Sequence, residues 1–153
     1  MQHDAFKLRL MAMLSEQNRA IALRFAQAGW GTNQGWEKIC DELMTPDVAY
    51  PFNSNATPIV ELEANKAFNT SLFQGFPSIK HRIEDVIAEG EKVVCRTTLE
   101  RTHTGEFLGI PPTGKLAKNI NDFTLLRIVN SKIVEWWYEC NLLEVIKQLG
   151  LIA

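Results

Sequence analysis

Two stretches carry residues whose types and spacing could do chemistry. In "NINDFTLL" (119–126) one carboxylate, Asp122, sits among Ile120, Phe123, Leu125 and Leu126, and strand alternation puts Asp122, Thr124 and Leu126 on one face. On a buried face such a carboxyl is lifted toward neutrality and can act as a general acid or base; on an exposed one it is simply hydrated. In "TLERTHTG" (98–105), His103 shares a face with Arg101, Leu99 and Thr97. That histidine could donate to a substrate oxygen, orient the acid, or serve only to fix the following loop. Arg101 could hold an oxyanion in a substrate site or belong to an ion pair.

A third stretch, "GIPPTGKL" (109–116), comes within one letter of a phosphate-binding loop, with Gly109, Gly114 and Lys115 in the expected places. Leu116 stands where a hydroxyl should hold Mg²⁺, and Pro111 and Pro112 lack the N–H groups that would cradle phosphate. The residues that follow read as a strand, whereas a helix should follow such a loop. The stretch is therefore expected to shape a rim between two strands.

Near the end of the chain, Glu135, Trp137, Glu139 and Asn141 alternate with Val134, Trp136, Tyr138 and Cys140. The first set is expected to line a cavity, with Glu135, Trp137 and Asn141 joining Tyr50, Phe52 and Arg101 as substrate-binding residues. The second set, led by Trp136 and Tyr138, is expected on the outer side of the sheet, where a second copy would cover it and make a homodimer. His81 and Asp85 share the face of Ile79, Ile83 and Ile87 and could reach the same cavity, unless a bulge near Glu84 reverses them.

The elements that must position these residues follow from local pattern. Apolar residues Leu10, Leu14, Ile21, Phe25 and Ala28 form the stripe of an amphipathic helix over about 4–28. A second helix fits 34–44, with Trp36, Ile39, Cys40 and Leu43 on one side. "DVAYPF" alternates Val48, Tyr50 and Phe52 as a short strand. Pro58 suits the first turn of a third helix reaching Phe73. The second half reads as two hairpins, turning at Glu89-Gly90-Glu91 and Asn130-Ser131, with a short helix over 142–149 to close. Helices followed by a meandering antiparallel sheet give an α+β class. The 153 residues form a single domain, 1–153.

Composition excludes several functions. Hydrophobic residues make up 46% and charged residues 22%, and sixteen basic against eighteen acidic residues leave a net charge of −2. Neither a nucleic-acid surface nor a membrane anchor or span is expected. Cys40, Cys95 and Cys140 are too far apart for a paired-cysteine metal motif. They read as reduced thiols of a cytoplasmic protein, with no metal site.

"THTGEFLGIPPTGK", then "LLRIVNSKIVEWW", then "LLEVIKQLG", in that order and spacing, closely resemble the SnoaL-like polyketide cyclases of the nuclear-transport-factor-two-like superfamily. The likeness covers about residues 75–150. It implies a cone-shaped barrel, a curved and mainly antiparallel sheet wrapped round N-terminal helices with a central cavity. It further implies an enzyme without metal or organic cofactor, which closes a ring in a flat polyketide by enolate (aldol-type) chemistry. In that frame Asp122 would be the base and His103 the donor or orienting partner. One departure is Asn141, where the family usually carries Asp. The expectation is a cofactor-independent cyclase or isomerase acting on a polyketide-like or other flat apolar carbonyl compound. The alternative is a non-catalytic small-molecule-binding module of the same fold.

Overall fold

The computed structural model describes residues 2–31, 34–51, 57–107 and 109–152, with no account of the side chains of residues 2 and 3. Phe52, expected in the cavity wall, lies outside the described residues. Elements follow in the order α1 (Gln2–Arg24), a π-helical turn (Phe25–Gly29), α2 (Trp36–Leu43), β1 (Met44–Tyr50), β2 (Ile59–Val60), α3 (Leu62–Gly75), β3 (Ile79–Glu89), β4 (Lys92–Thr102), β5 (Leu116–Val129), β6 (Lys132–Cys140) and α4 (Leu142–Gln148). The α+β class is as expected. The six strands form one sheet in the order β2-β1-β6-β5-β4-β3, antiparallel throughout except where β1 runs parallel to β6. The sheet stays open, with β2 and β3 as its edges, and does not close into a barrel.

Both hairpins turn where local chemistry requires. Glu89 pairs with Lys92 across Gly90-Glu91, and Gly90 has φ +56°. Val129 pairs with Lys132 across Asn130 and Ser131, at φ +49° and +63°. Two consecutive left-handed residues match the right-handed strand twist, and Asn tolerates that conformation better than most. The register of β3 shifts between Ile83 and Asp85, a bulge at Glu84 that separates the two residues which alternation had placed on one face. As a result His81 faces the helices, while Asp85 pairs with Arg96 at 2.6 Å near the surface.

The core lies between the helices and one face of the sheet, built from Phe25, Val48, Tyr50, Leu99, Ile120, Leu126, Ile133 and Trp136. Trp136 is 1% exposed, stacks on Tyr50 with centroids 3.9 Å apart, and donates its indole N–H to Asn65 Oδ1 at 3.1 Å. Asn65 in turn donates to the carbonyls of Glu61 and Val48, so one buried amide ties α3 to β6 and β1.

This corrects the assignment of the β6 faces. Trp136, Tyr138 and Cys140 point inward, under the helices, and Glu135 and Trp137 occupy the outer face, where Glu135 meets Arg127 at 3.4 Å. Alternation separates the two sets from Glu135 to Cys140, and a register shift at Val134 interrupts it before that. Alternation cannot say which set turns inward when each contains a tryptophan. The helices cover the Trp136/Tyr138 face, so it is not the open apolar surface on which a pairing of copies was expected.

Two helix expectations also change. Pro58 precedes the two-residue strand β2, and α3 begins only at Leu62, after Glu61 at φ +79°. The α1 stripe is buried only in its second half. Phe25 is buried and Ile21 and Ala28 are half-buried, whereas Leu10 and Leu14 are 57% and 40% exposed. Helix α1 meets the sheet at the first hairpin turn, where Gly90 N–H donates to Ser15 Oγ and Asn18 Nδ2 donates to Gly90 O. Residues before Ser15 run on past this contact.

Candidate functional site

Two adjoining cavities lie between the helices and the concave side of the sheet. The smaller, of about 20 Å³, is lined by Phe25, Ala26, Trp30, His81, Cys95, Thr97, Asp122, Thr124 and Tyr138. That is room for about one water molecule. The larger, of about 440 Å³, is walled by Tyr50, Phe68, Leu72, Arg101, Phe107, Tyr138 and Cys140, with Glu106 and Glu139 exposed at its rim. Its size suits a small organic ligand, for which roughly 300–1,000 Å³ is usual.

Asp122 is 1% exposed and faces inward with Thr124 and Leu126, as alternation requires. β4 aligns Thr97 opposite Asp122, and the Thr97 hydroxyl donates to Asp122 Oδ1. Burial pushes the Asp122 carboxyl above the ordinary aspartate range, and this outweighs the Thr97 and Tyr138 hydroxyls and the more distant His81 and Arg101, which all favour its charge. The Tyr138 hydroxyl is close enough to Asp122 to act on it, yet has no well-formed hydrogen bond among the described residues. Burial, with Asp122 beside it, drives the Tyr138 phenol far above its usual range, so it stays protonated. The Cys95 thiol, also buried in this wall, is pushed up to about 11 and is unreactive as a nucleophile.

The π-helical turn completes the small cavity. It brings the Ala26 carbonyl to His81, whose Nε2–H donates to it; Nδ1 is buried without a partner among the described residues. Such turns interrupt the regular helix ladder and recur at functional sites.

His103 is fully buried but borders neither cavity. Its Nδ1 accepts from the Thr113 N–H at 3.3 Å, its ring lies on Phe76 with centroids 5.2 Å apart, and its backbone bonds to Lys115 O and Gly114 N. It ties the Gly-Ile-Pro-Pro-Thr-Gly-Lys loop to the end of β4. Arg101 does stand in the wall of the larger cavity, 3% exposed, as does Tyr50. Glu135 and Trp137 are on the outer face of β6. Asn141 caps α4, accepting from Glu144 N–H at 3.2 Å, and is exposed. An Asp at that position would serve as the same cap, so its replacement takes nothing from either cavity.

Sequence reasoning missed Tyr138, Phe68, Leu72 and Phe107. Phe68 and Leu72 lie at i and i+4 on α3, a spacing that marks one helix face and could have signalled a wall. Among the described residues, no three His, Cys, Asp or Glu side chains cluster as a metal site would require, and no helix is long and apolar enough to cross a membrane.

Comparison with known proteins identifies the family and the fold. The family model for the SnoaL-like polyketide cyclase matches residues 20–149. A protein of known structure from Jannaschia sp. CCS1, described as a SnoaL-like polyketide cyclase, is 34% identical, with 92% of this chain and 96% of that one covered at a TM-score of 0.85. IdmH of Streptomyces antibioticus, described as a polyketide cyclase, is 25% identical over 88% of this chain and 99% of that one, with a TM-score of 0.74. AclR of Streptomyces galilaeus, described as a hydroxylase, is 24% identical over 91% and 99% with a TM-score of 0.76, a likeness of fold alone. The search of curated proteins gave no match.

Proposed function

The chain belongs to the SnoaL-like polyketide cyclases, and within that family we propose that it is a cofactor-independent enzyme acting by general acid–base chemistry on a flat, apolar carbonyl compound such as a polyketide. The observation that carries this reading is a buried carboxyl, Asp122, raised by burial above the ordinary aspartate range and set behind Tyr138, a side chain that borders both cavities.

A substrate in the larger cavity meets Tyr138 before Asp122. The phenol oxygen takes a proton from the carbon alpha to the substrate carbonyl as the phenol's own proton passes to the Asp122 carboxylate. The enolate carbon then attacks a second carbonyl in the same molecule, forming a C–C bond. The resulting alkoxide recovers the proton through Tyr138 from Asp122, and the enzyme returns to its starting state. Ring closure of this kind leaves the composition of the substrate unchanged, which is isomerase chemistry; subsequent loss of water would make it a lyase reaction. A cytoplasmic setting would keep the three free cysteines reduced.

The experiment is deuterium exchange at the alpha carbon of a flat aromatic β-keto ester in D₂O, followed by NMR. Wild type should accelerate exchange, and Asp122→Asn should lose roughly 10²–10⁴ of that rate, the usual scale of general acid–base catalysis. An equal rate in the variant removes Asp122 from the mechanism.

A second reading has one observation in its favour: Asp122 does not itself line the larger cavity. A non-catalytic binding module would hold the ester there, with exchange no faster than in buffer.

A further inference from the structure

We propose that the larger cavity is an anchor site for a carboxylic acid, with Arg101 gripping the carboxylate and the aromatic wall holding a flat apolar body. This specifies the ligand class for the cavity used above, and it rests on that reading only for the assignment of the cavity as the ligand site.

The argument starts from charge. Arg24, Arg82, Arg96 and Arg127 are all substantially exposed, and each has a carboxylate partner. Arg101 is 3% exposed and has no ion pair among the described residues. Its guanidinium carbon stands 4.8 Å from the Phe76 ring centroid, Nη2 reaches only the Cys140 sulfur at 3.9 Å, and the buried Nε–H has no acceptor. A thiol is a weak acceptor, and a guanidinium cannot shed its proton to escape burial. Asp122 acts on Arg101 only at a distance, with no ion pair between them among the described residues. The fold therefore holds a buried cation in a cavity wall with its Nε–H unmatched and Nη2 on a weak acceptor. A buried charge of this kind is retained at a cost unless an anion completes it.

The surroundings select the anion. Arg101 is the only cationic residue in the wall among the described residues, so a phosphate dianion would be left half-neutralised. Glu106 and Glu139 at the rim repel a second negative charge. A single planar carboxylate matches one guanidinium fork, with two parallel N–H···O bonds. Tyr50, Phe68, Leu72 and Phe107 then leave apolar, partly aromatic surface for the remainder of the molecule. The ligand class is a flat apolar monocarboxylic acid.

Titration calorimetry with anthraquinone carboxylate and its methyl ester tests this without knowledge of the natural ligand. Wild type should bind the acid roughly ten- to a hundredfold more tightly than the ester, the scale of a hydrogen-bonded charge pair. In Arg101→Met the acid should fall to the level of the ester, and Arg101→Lys, which keeps the charge without the fork, should retain part of the preference. An ester bound as tightly as the acid by wild type overturns the anchor, as does a preference that survives Arg101→Met. Deuterium exchange of the keto ester by wild type would still stand in those cases, so the anchor can fail while the catalytic reading holds. Binding of neither probe overturns the anchor and, with it, the assignment of this cavity as the ligand site.

Discussion

Asp122 and Tyr138 share the wall of the small cavity, and of the two only Tyr138 also borders the larger one. The carboxyl is thus screened from a bound ligand by a phenol ring. The screening explains how one site can keep a carboxyl buried enough to be raised and still address a substrate: the hydroxyl carries the proton across. Asp122 owes this place to strand pairing, since β4 sets Thr97 on one side of it and β6 sets Cys140 on the other.

Tyr138→Phe keeps the ring and removes only the hydroxyl. Exchange of the keto-ester probe should fall roughly 10²-fold, with little change in KM, because a relay contributes on the scale of general acid–base catalysis. The melting temperature should hold or rise, since the lost hydroxyl is buried without a well-formed hydrogen bond. An unchanged rate would mean that the proton travels by another route.

Asp122→Asn should be more stable than wild type at neutral pH. The folded carboxyl is raised above its unfolded value of about 3.9, so the native state binds more protons between the two values. Stability due to this group is then full below the unfolded value and is lost as pH rises through the folded one. Asparagine carries no charge, and its amide oxygen still accepts from Thr97. Paired thermal melts from about pH 4 to about pH 8 should show a gap that opens with rising pH. A constant gap would place the carboxyl in water.

Gly105→Ala should destabilise the protein by about 1–3 kcal/mol, the cost of overpacking. A methyl group there would collide with the Gln74 carbonyl, where the end of α3 lies against the loop after β4. Gly105 N–H and Thr104 N–H both donate to Gly75 O, so the displacement would loosen Phe107, a wall residue of the larger cavity. Urea denaturation gives the stability. The same variant should bind the anthraquinone probes more weakly, and normal affinity would show that the loop does not hold the wall.

Much of this protein was determined by its sequence alone, because it depends on neighbours along the chain. The turns at Gly90 and at Asn130-Ser131 follow from which residues accept a left-handed backbone. The grouping of Thr97, Leu99, Arg101 and His103 on one face follows from the two-residue period of a strand, as does that of Asp122, Thr124 and Leu126. The loop from His103 to Lys115 carries the family resemblance, and the residue types and spacing of Tyr50, Arg101 and Asp122 mark them as site candidates. Tertiary structure decided the rest. Which face of β6 turns inward depended on α3 presenting Asn65 to Trp136, a contact between residues 71 positions apart. The exposure of the first half of α1 depended on where the first hairpin ends. The separation of Asp122 from the larger cavity depended on Tyr138 arriving from the next strand. Local periodicity divides a strand into two faces, but only packing across the sheet, where apolar surface finds its cover, assigns each face to core or solvent.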